Sequence, residues 1–250
     1  MSDRAAATIL DTAPGVDKSG GRVRGMFAEI APRYDLVNRL LSGGIDVWWR
    51  HVTVRRAPPP PAGGAILDLC TGTGDLALAY RAAAAASVRV VGADFCRPML
   101  DRAAEKSGRN GAAIEWVEAD AMDLPFPDAA FDLVTVAFGL RNIADTSRGL
   151  AEMARVCRPG GRLAILEFSL PANPVVRAGY LWYFRNVLPF LGNAVARNRS
   201  DAYTYLNQSV EAFPSGPALA ALVRAAGFER VEMVPLTFGI ATLSIATRGS

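Results

Sequence analysis

A chain of 250 residues, 51% of them hydrophobic and 20% charged, has the length of one large domain and ample material for a core. Its net charge of +3 is spread without a dense Lys/Arg run, which argues against nucleic acid as a partner. Three scattered cysteines (Cys70, Cys96, Cys157) and one histidine, His51, supply no Cys/His metal framework and suit a reducing cytoplasm.

In chain order, residues 1–21 are rich in Ala, Gly and Ser and lack the basic-then-apolar order of a signal peptide. They read as a disordered tail, with one domain over 22–250. Within it, 22–57 reads as short helices, because Met26, Phe27 and Ile30 recur at helical spacing, as do Leu36, Val37, Leu40 and Leu41. Asp46 is the expected cap of a third helix through Trp48 and Trp49. Pro58 to Pro61, with Gly63 and Gly64, closes this region.

The rhythm then changes. Strands are expected at Ala65–Leu69, Val88–Ala93, Ala113–Val117, Phe131–Phe138 and Leu163–Phe168, with helices at Leu76–Ala86, Pro98–Lys106 and Arg148–Cys157. Apolar strands alternating with helices indicate a parallel sheet covered on both faces. Pro159-Gly160-Gly161 reads as the turn between helix and strand. Residues 171–214 break the alternation and read as an aromatic-rich helical insertion. Val175 to Val195 is interrupted by Arg177, Arg185, Asn186 and Pro189, too often to span a bilayer. A helix at Leu219–Ala226 stops at Gly227, and the last strands, Arg230–Val234 and Phe238–Ala246, must be antiparallel because their connection around Pro235 is short. The expected architecture is a doubly wound α/β fold, a seven-stranded sheet with one antiparallel strand.

The chemistry concentrates at strand ends. Asp68-Leu-Cys-Thr-Gly72-Thr-Gly74-Asp75 lies at the carboxyl end of the first strand, where ligands of open α/β sheets bind and glycines let a ligand approach the main chain. Gly72, Gly74 and Ala77 also fit the dinucleotide fingerprint, so a nicotinamide enzyme competes. Asp94 ends the second strand, where a carboxylate accepts hydrogen bonds from ribose hydroxyls. Asp120 and Ala121 follow the third, where a polar side chain meets an adenine amino group and Met122 and Leu124 offer an apolar wall. An acid at Asp68 would oppose a pyrophosphate at the helix N-terminus. A cofactor with a cationic amino-acid end and no phosphate tolerates it, which favours S-adenosylmethionine.

Tyr34-Asp-Leu-Val-Asn38-Arg-Leu-Leu-Ser42-Gly43-Gly-Ile-Asp-Val-Trp-Trp49 resembles the N-terminal signature of the ubiquinone/menaquinone biosynthesis C-methyltransferases. Arg155-Val-Cys-Arg-Pro159-Gly-Gly-Arg-Leu-Ala-Ile-Leu-Glu167-Phe-Ser169 is similar to the second signature of that family. Phe138 to Asn142, Ala202 to Leu206 and Leu236 to Ile240 also fit, so the resemblance runs from about Val23 to the C-terminus. It implies a Rossmann-like S-adenosylmethionine-dependent methyltransferase with a helical lid at 22–57, and Thr73, Asp94, Asp120 and Ala121 as cofactor contacts. The expected cofactor set is Asp68, Gly72, Thr73, Gly74, Asp94, Asp120 and Ala121. This sequence departs from the family pattern at Asp46 and Ser244, where His is common, and at Ala137, where many relatives carry a Ser.

The resemblance implies transfer of a methyl group to a ring carbon of a prenylated quinol. Arg141 and Asn142, after the fourth strand, are the expected substrate contacts. Without a suitable histidine, proton removal falls to water, Asp35, Tyr34 or Tyr203. Arg185-Asn-Val-Leu-Pro-Phe-Leu-Gly and Val210-Glu-Ala-Phe-Pro resemble the menaquinone-only members, which makes demethylmenaquinol the preferred substrate. The ubiquinone-pathway enzyme and a non-catalytic methyltransferase-like scaffold subunit are the alternatives. The stretch Gly179 to Phe190, flanked by arginines, suits core and oligomer contact, a prenyl-tail channel or peripheral contact with anionic lipid. A homodimer is compatible with the sequence.

Overall fold

A computed structural model describes residues 18–187 and 200–250. Among them, strands β1 (Ala65–Leu69), β2 (Arg89–Asp94), β3 (Glu115–Glu118), β4 (Phe131–Ala137), β5 (Cys157–Phe168), β6 (Phe228–Leu236) and β7 (Ala241–Arg248) form one sheet in the order β3-β2-β1-β4-β5-β7-β6. The first five pair in parallel, and β7 lies antiparallel to both β5 and β6. The strand order reverses between β1 and β4, which is where an open α/β sheet leaves a crevice for a ligand.

Every residue of β1 is buried, and its neighbours alternate between the two sides. Ile66 packs with Val90 and Leu133 in one core cluster, Leu67 with Val91 and Val134 in the other. The two-residue repeat of a strand thus feeds two cores, one per face. Helices α4 (Asp75–Ala83), α5 (Arg97–Arg109) and α6 (Thr146–Val156) connect the parallel strands; α7 (Pro174–Trp182), α8 (Ser200–Ala212) and α9 (Pro217–Ala225) follow β5. Asp145 caps α6, accepting from the Arg148 amide at 2.9 Å.

Three helices precede the sheet: α1 (Gly20–Ile30), α2 (Tyr34–Ser42) and α3 (Ile45–Arg56). The expected tail, 1–21, lies outside the described residues as far as residue 17, and α1 already begins at Gly20. Asp46 is not the cap of α3. Gly44, with φ +80°, takes that position, and the Asp46 carboxylate sits buried in the first turn, accepting from Ser42 Oγ at 2.7 Å and Arg50 Nη1 at 2.6 Å. The exposed end of β6 differs from expectation too. Pro235 lies within this edge strand, where a missing amide does no harm, and Thr237–Gly239 makes the turn. Pro159 to Gly161 lie inside β5 as a bulge: pairing with β4 starts at Phe131–Cys157, shifts, and resumes at Leu133–Arg162.

The Trp116 ring covers two glycines. A Cβ on Gly92 would lie 2.3 Å from Trp116 Cζ3, and one on Gly74 would lie 2.5 Å from Cη2. The indole Nε1 donates to Ser107 Oγ on α5 at 3.1 Å. Gly74 also has φ +81°, so the turn that opens α4 needs glycine for its backbone and for its neighbour. Gly92→Ala is expected to destabilise the fold by about 1–3 kcal/mol through overpacking, measured by urea unfolding, and a Gly92→Ala/Trp116→Val pair to recover part of the loss.

Candidate active site

An open cleft with about 750 Å³ of empty space, part of it continuous with solvent, lies at the carboxyl ends of β1 to β4. Its walls come from the end of β1 and the turn after it (Leu69, Cys70, Gly72), the end of β2 (Asp94, Phe95), the segment after β3 (Ala119 to Met122), and the end of β4 with the residues beyond it (Ala137 to Gly139 and Asn142 to Ala144). Met99 of α5 and Lys18, Gly20, Phe27 and Tyr34 from the N-terminal region complete it.

Of the residues expected at a cofactor, Gly72, Asp94, Asp120 and Ala121 line this cavity. Asp94 is 6% exposed; its Oδ2 accepts from the Gly72 amide at 2.8 Å and Oδ1 from the Cys96 amide at 2.9 Å. Each oxygen keeps a second lone pair for a hydroxyl donor. Burial pushes its pKa up to about 6, against the pull of those amides. Gly72 has φ +56°, and the nearest atom to a Cβ there would be Tyr34 Cε1 at 4.0 Å. Its hydrogen therefore faces open cavity, and the main chain is exposed to whatever binds. Asp120 Oδ1 accepts from the Met122 amide at 2.9 Å.

Asp68, Thr73 and Gly74 stand behind this surface. Asp68 is 1% exposed and faces the protein interior, where it accepts from Thr71 Oγ1 at 2.6 Å and Thr135 Oγ1 at 2.7 Å. Desolvation raises its pKa to about 6. Thr73 Oγ1 donates to Asp35 Oδ1, and Lys106 Nζ donates to Asp35 Oδ2 at 2.9 Å and to Asp75. Arg39 reaches Asp75 at 3.2 Å. This charge network clamps α2 onto the start of α4 and the last turn of α5.

The residues expected to catalyse divide in the same way. Tyr34 and Asn142 line the cavity. Burial raises the Tyr34 phenol pKa, with a hydrogen bond to Asn38 in partial opposition; at neutral pH it is a hydroxyl rather than a proton acceptor. Asn142 Oδ1 accepts from Tyr205 Oη at 3.1 Å. Asp35 is held in the network above, away from the cavity wall. Tyr203 lies where no side chain is described. Arg141, expected to touch substrate, is 6% exposed and does not line the cavity. Its Nη1 binds Glu167 Oε1 at 2.7 Å and the Phe138 carbonyl, its Nε donates to Ser209 Oγ at 3.3 Å, and it lies 5.4 Å from the centre of the Phe168 ring. The cause is Glu167, at the end of β5, whose buried carboxylate demands a cation. In this arrangement Arg141 shapes the turn from Phe138 to Asn142.

Sequence reading missed Lys18, Phe27, Cys70, Phe95, Met99 and Phe138, all lining residues. Cys70 and Phe138 carry φ +52° and +57°, an uncommon strain for side-chain-bearing residues that gathers at functional turns. Met122 is in the wall as expected, whereas Leu124 is in the core. In the expected tail channel, Tyr180 is buried and Trp182 is 63% exposed; Phe190 and the Phe184 side chain are outside the description. Trp49 is buried with Nε1 bonded to Thr237 Oγ1 at 2.8 Å, while Trp48 is half exposed.

Comparison with known proteins decides the class. The model of the ubiE/COQ5 methyltransferase family matches residues 16–248. The chain belongs to this family. It is 52% identical to the demethylmenaquinone methyltransferase of Thermus thermophilus over 228 residues, 89% of this chain and 100% of that one. It is 48% identical to the protein of the same name from Deinococcus radiodurans, covering 92% and 93%. A ubiquinone/menaquinone biosynthesis C-methyltransferase of Geobacter sp. is 43% identical, covering 93% and 99%. Solved structures share the fold at lower identity: the [4+2]-cyclase SpnF at TM-score 0.64 and 17% identity, covering 91% of this chain and 95% of that chain, and a SAM-dependent methyltransferase from Aquifex aeolicus at 0.59 and 18%, covering 79% and 88%. This family member is an S-adenosylmethionine-dependent methyltransferase, and the cradle at Gly72 and Asp94 fits that cofactor.

Two outcomes follow from the site. Cofactor affinity should hold above about pH 6, where Asp94 is ionised, and fall below it as the carboxyl gains a proton and loses acceptor capacity; calorimetry across pH should show Asp94→Asn weak and flat. Arg141→Met should destabilise the protein by about 3–5 kcal/mol by stranding Glu167, and adding Glu167→Gln should return part of that in denaturant unfolding.

Proposed function

We propose that this family member methylates a ring carbon of a prenylated quinol, with demethylmenaquinol as its substrate. The observation that carries the reading is the pattern of names among relatives: those at 52% and 48% identity are demethylmenaquinone methyltransferases, and the one at 43% is named for both quinones. The cavity supports it, since Phe27, Phe95, Met99, Phe138 and Ile143 give an apolar wall beside the acidic pair Asp94 and Asp120, as a flat aromatic substrate next to a nucleoside requires.

When bound, S-adenosylmethionine supplies an electrophilic methyl group. Asp94 and Asp120 would hold its ribose and adenine, and Gly72 would let the main chain lie against it. Phe138, Gly139 and Asn142 to Ala144 would then orient the quinol ring, with Asn142 fixed by Tyr205. A ring carbon needs electron density to attack, and a quinone ring is itself an electrophile, so the reduced quinol is the competent form. Positioning and water exclusion by the N-terminal helices, acting as a lid, are the protein's main contributions.

The tail of such a substrate is very apolar. Val175 and Trp182, two helical turns apart on α7, are 81% and 63% exposed and offer a face for peripheral contact with a membrane. No helix among the described residues is long and apolar enough to cross one.

Anaerobic assays with and without dithionite test the reading. Reduced demethylmenaquinone analogues should be methylated and oxidised ones should not. Each buried tail methylene is worth about 0.8 kcal/mol, so a single prenyl unit should lower KM at least tenfold. Equal methylation of both oxidation states, or preference for a benzoquinol, would overturn the assignment.

A further inference from the structure

We propose that Lys18 is the cation that faces the ionised quinol oxygen, a substrate-contacting residue for the reaction proposed above and dependent on that reading. Among the described residues that line the cavity, the charged side chains are Lys18, Asp94 and Asp120. The two acids serve the cofactor end, after β2 and β3. A phenolate placed between them and the Phe138–Ala144 segment needs positive charge, and Lys18 is the lining residue that carries it. Arg141, the other nearby cation, is committed to Glu167 at 2.7 Å and to the Phe138 carbonyl.

The position of Lys18 fits this task. It stands two residues ahead of α1, half-buried, with its Nζ 5.8 Å from the centre of the Phe213 ring. Phe213 directly follows α8, the helix whose Tyr205 bonds Asn142, so the contact sets the ammonium toward the α8 end of the cavity. The remaining titratable lining groups are Tyr34, Cys70, Asp94 and Asp120. Burial is the main cause that lowers the Lys18 pKa, followed by repulsion from Arg141, with Glu167 opposing. An ammonium that is partly desolvated and repelled gains more than an exposed one when a phenolate arrives.

The step balances without a further reactant. The quinol hydroxyl gives its proton to water, and the ammonium of Lys18 stabilises the phenolate left behind. The oxygen lone pair moves into the ring, and the neighbouring ring carbon's electron pair forms the bond to the methyl carbon. The methyl–sulfur bonding pair stays on sulfur. The methylated ring carbon then loses its hydrogen as a proton to water, which restores the aromatic ring and the phenolate, and this takes up a proton on release.

The test measures kcat against pH for wild type, Lys18→Met and Lys18→Arg with a reduced prenylated naphthoquinol, beside calorimetry for S-adenosylmethionine. A cation lowers the pKa of the bound phenol, so Lys18→Met should move the acidic limb of kcat upward by at least one pH unit and lower kcat about a hundredfold at neutral pH. Cofactor affinity should stay within about twofold. Lys18→Arg keeps its charge at all working pH values; it should return the acidic limb to its wild-type place and abolish the alkaline fall that Lys18 deprotonation gives the wild type. Wild-type turnover with an unmoved acidic limb in Lys18→Met would overturn the role of Lys18 and leave the substrate reading intact. Wild type without turnover on any reduced naphthoquinol would overturn the substrate reading, and the role of Lys18 with it.

Discussion

Burying the Asp68 carboxylate beneath the glycine turn costs solvation that hydrogen bonds from Thr71 and Thr135 offset. One donor belongs to the turn after β1 and the other to β4, so a single side chain ties together the two strands that flank the crevice. Gly72 can present its main chain to a ligand because the turn beneath it is anchored in this way. The pKa near 6 is the mark of that burial. An acid at the end of β1 is thus a strut beneath the cavity surface, and the next acid along, Asp94, is the one that lines the cavity.

A similar division runs through the rest of the site. Arg141 and Glu167 neutralise one another inside the protein, and the Asp35–Lys106–Asp75 network holds α2 against the glycine turn. The cavity itself is left apolar, with few charges. Its two strained turns are packed back to back: a Cβ on Gly139 would lie 2.4 Å from the Cβ of Cys70. Neither turn can relax without pushing the other, which fixes the distance between the turn after β1 and the turn after β4.

The parallel core of the fold was legible because β1, β2 and β4 are short apolar runs followed by helical periodicity. Asp94 and Asp120 were legible for a related reason, since topology sends strand ends to one edge whatever the side chains do. Arg141 shows where such reasoning stops. Its place after β4 is correct, but its direction is set by Glu167 on another strand, a pairing that no local pattern reveals. Asp46 has the right residue type for a cap and lost the position to Gly44, whose left-handed backbone starts α3 without a side chain. Lys18 stands in a stretch whose Ala, Gly and Ser content signals disorder, and only the packing of α1 against α5 brings it to the cavity. The backbone conformation of Phe138 gave no sign either, because a positive φ on an aromatic residue is a product of tertiary contacts.

The place of β7 in the sheet has a consequence for how the protein is made. This strand follows all six others in the sequence, yet it lies between β5 and β6. During vectorial synthesis β1 to β5 emerge first and can pair with one another, each through a local crossover. Until β7 follows, β5 presents an open edge and β6 has no neighbour to join. Such edges recruit other chains, and non-local pairing is slow. The nascent protein therefore passes through a stage in which the cofactor half is assembled while its far edge is sticky, a window in which chaperone protection matters most.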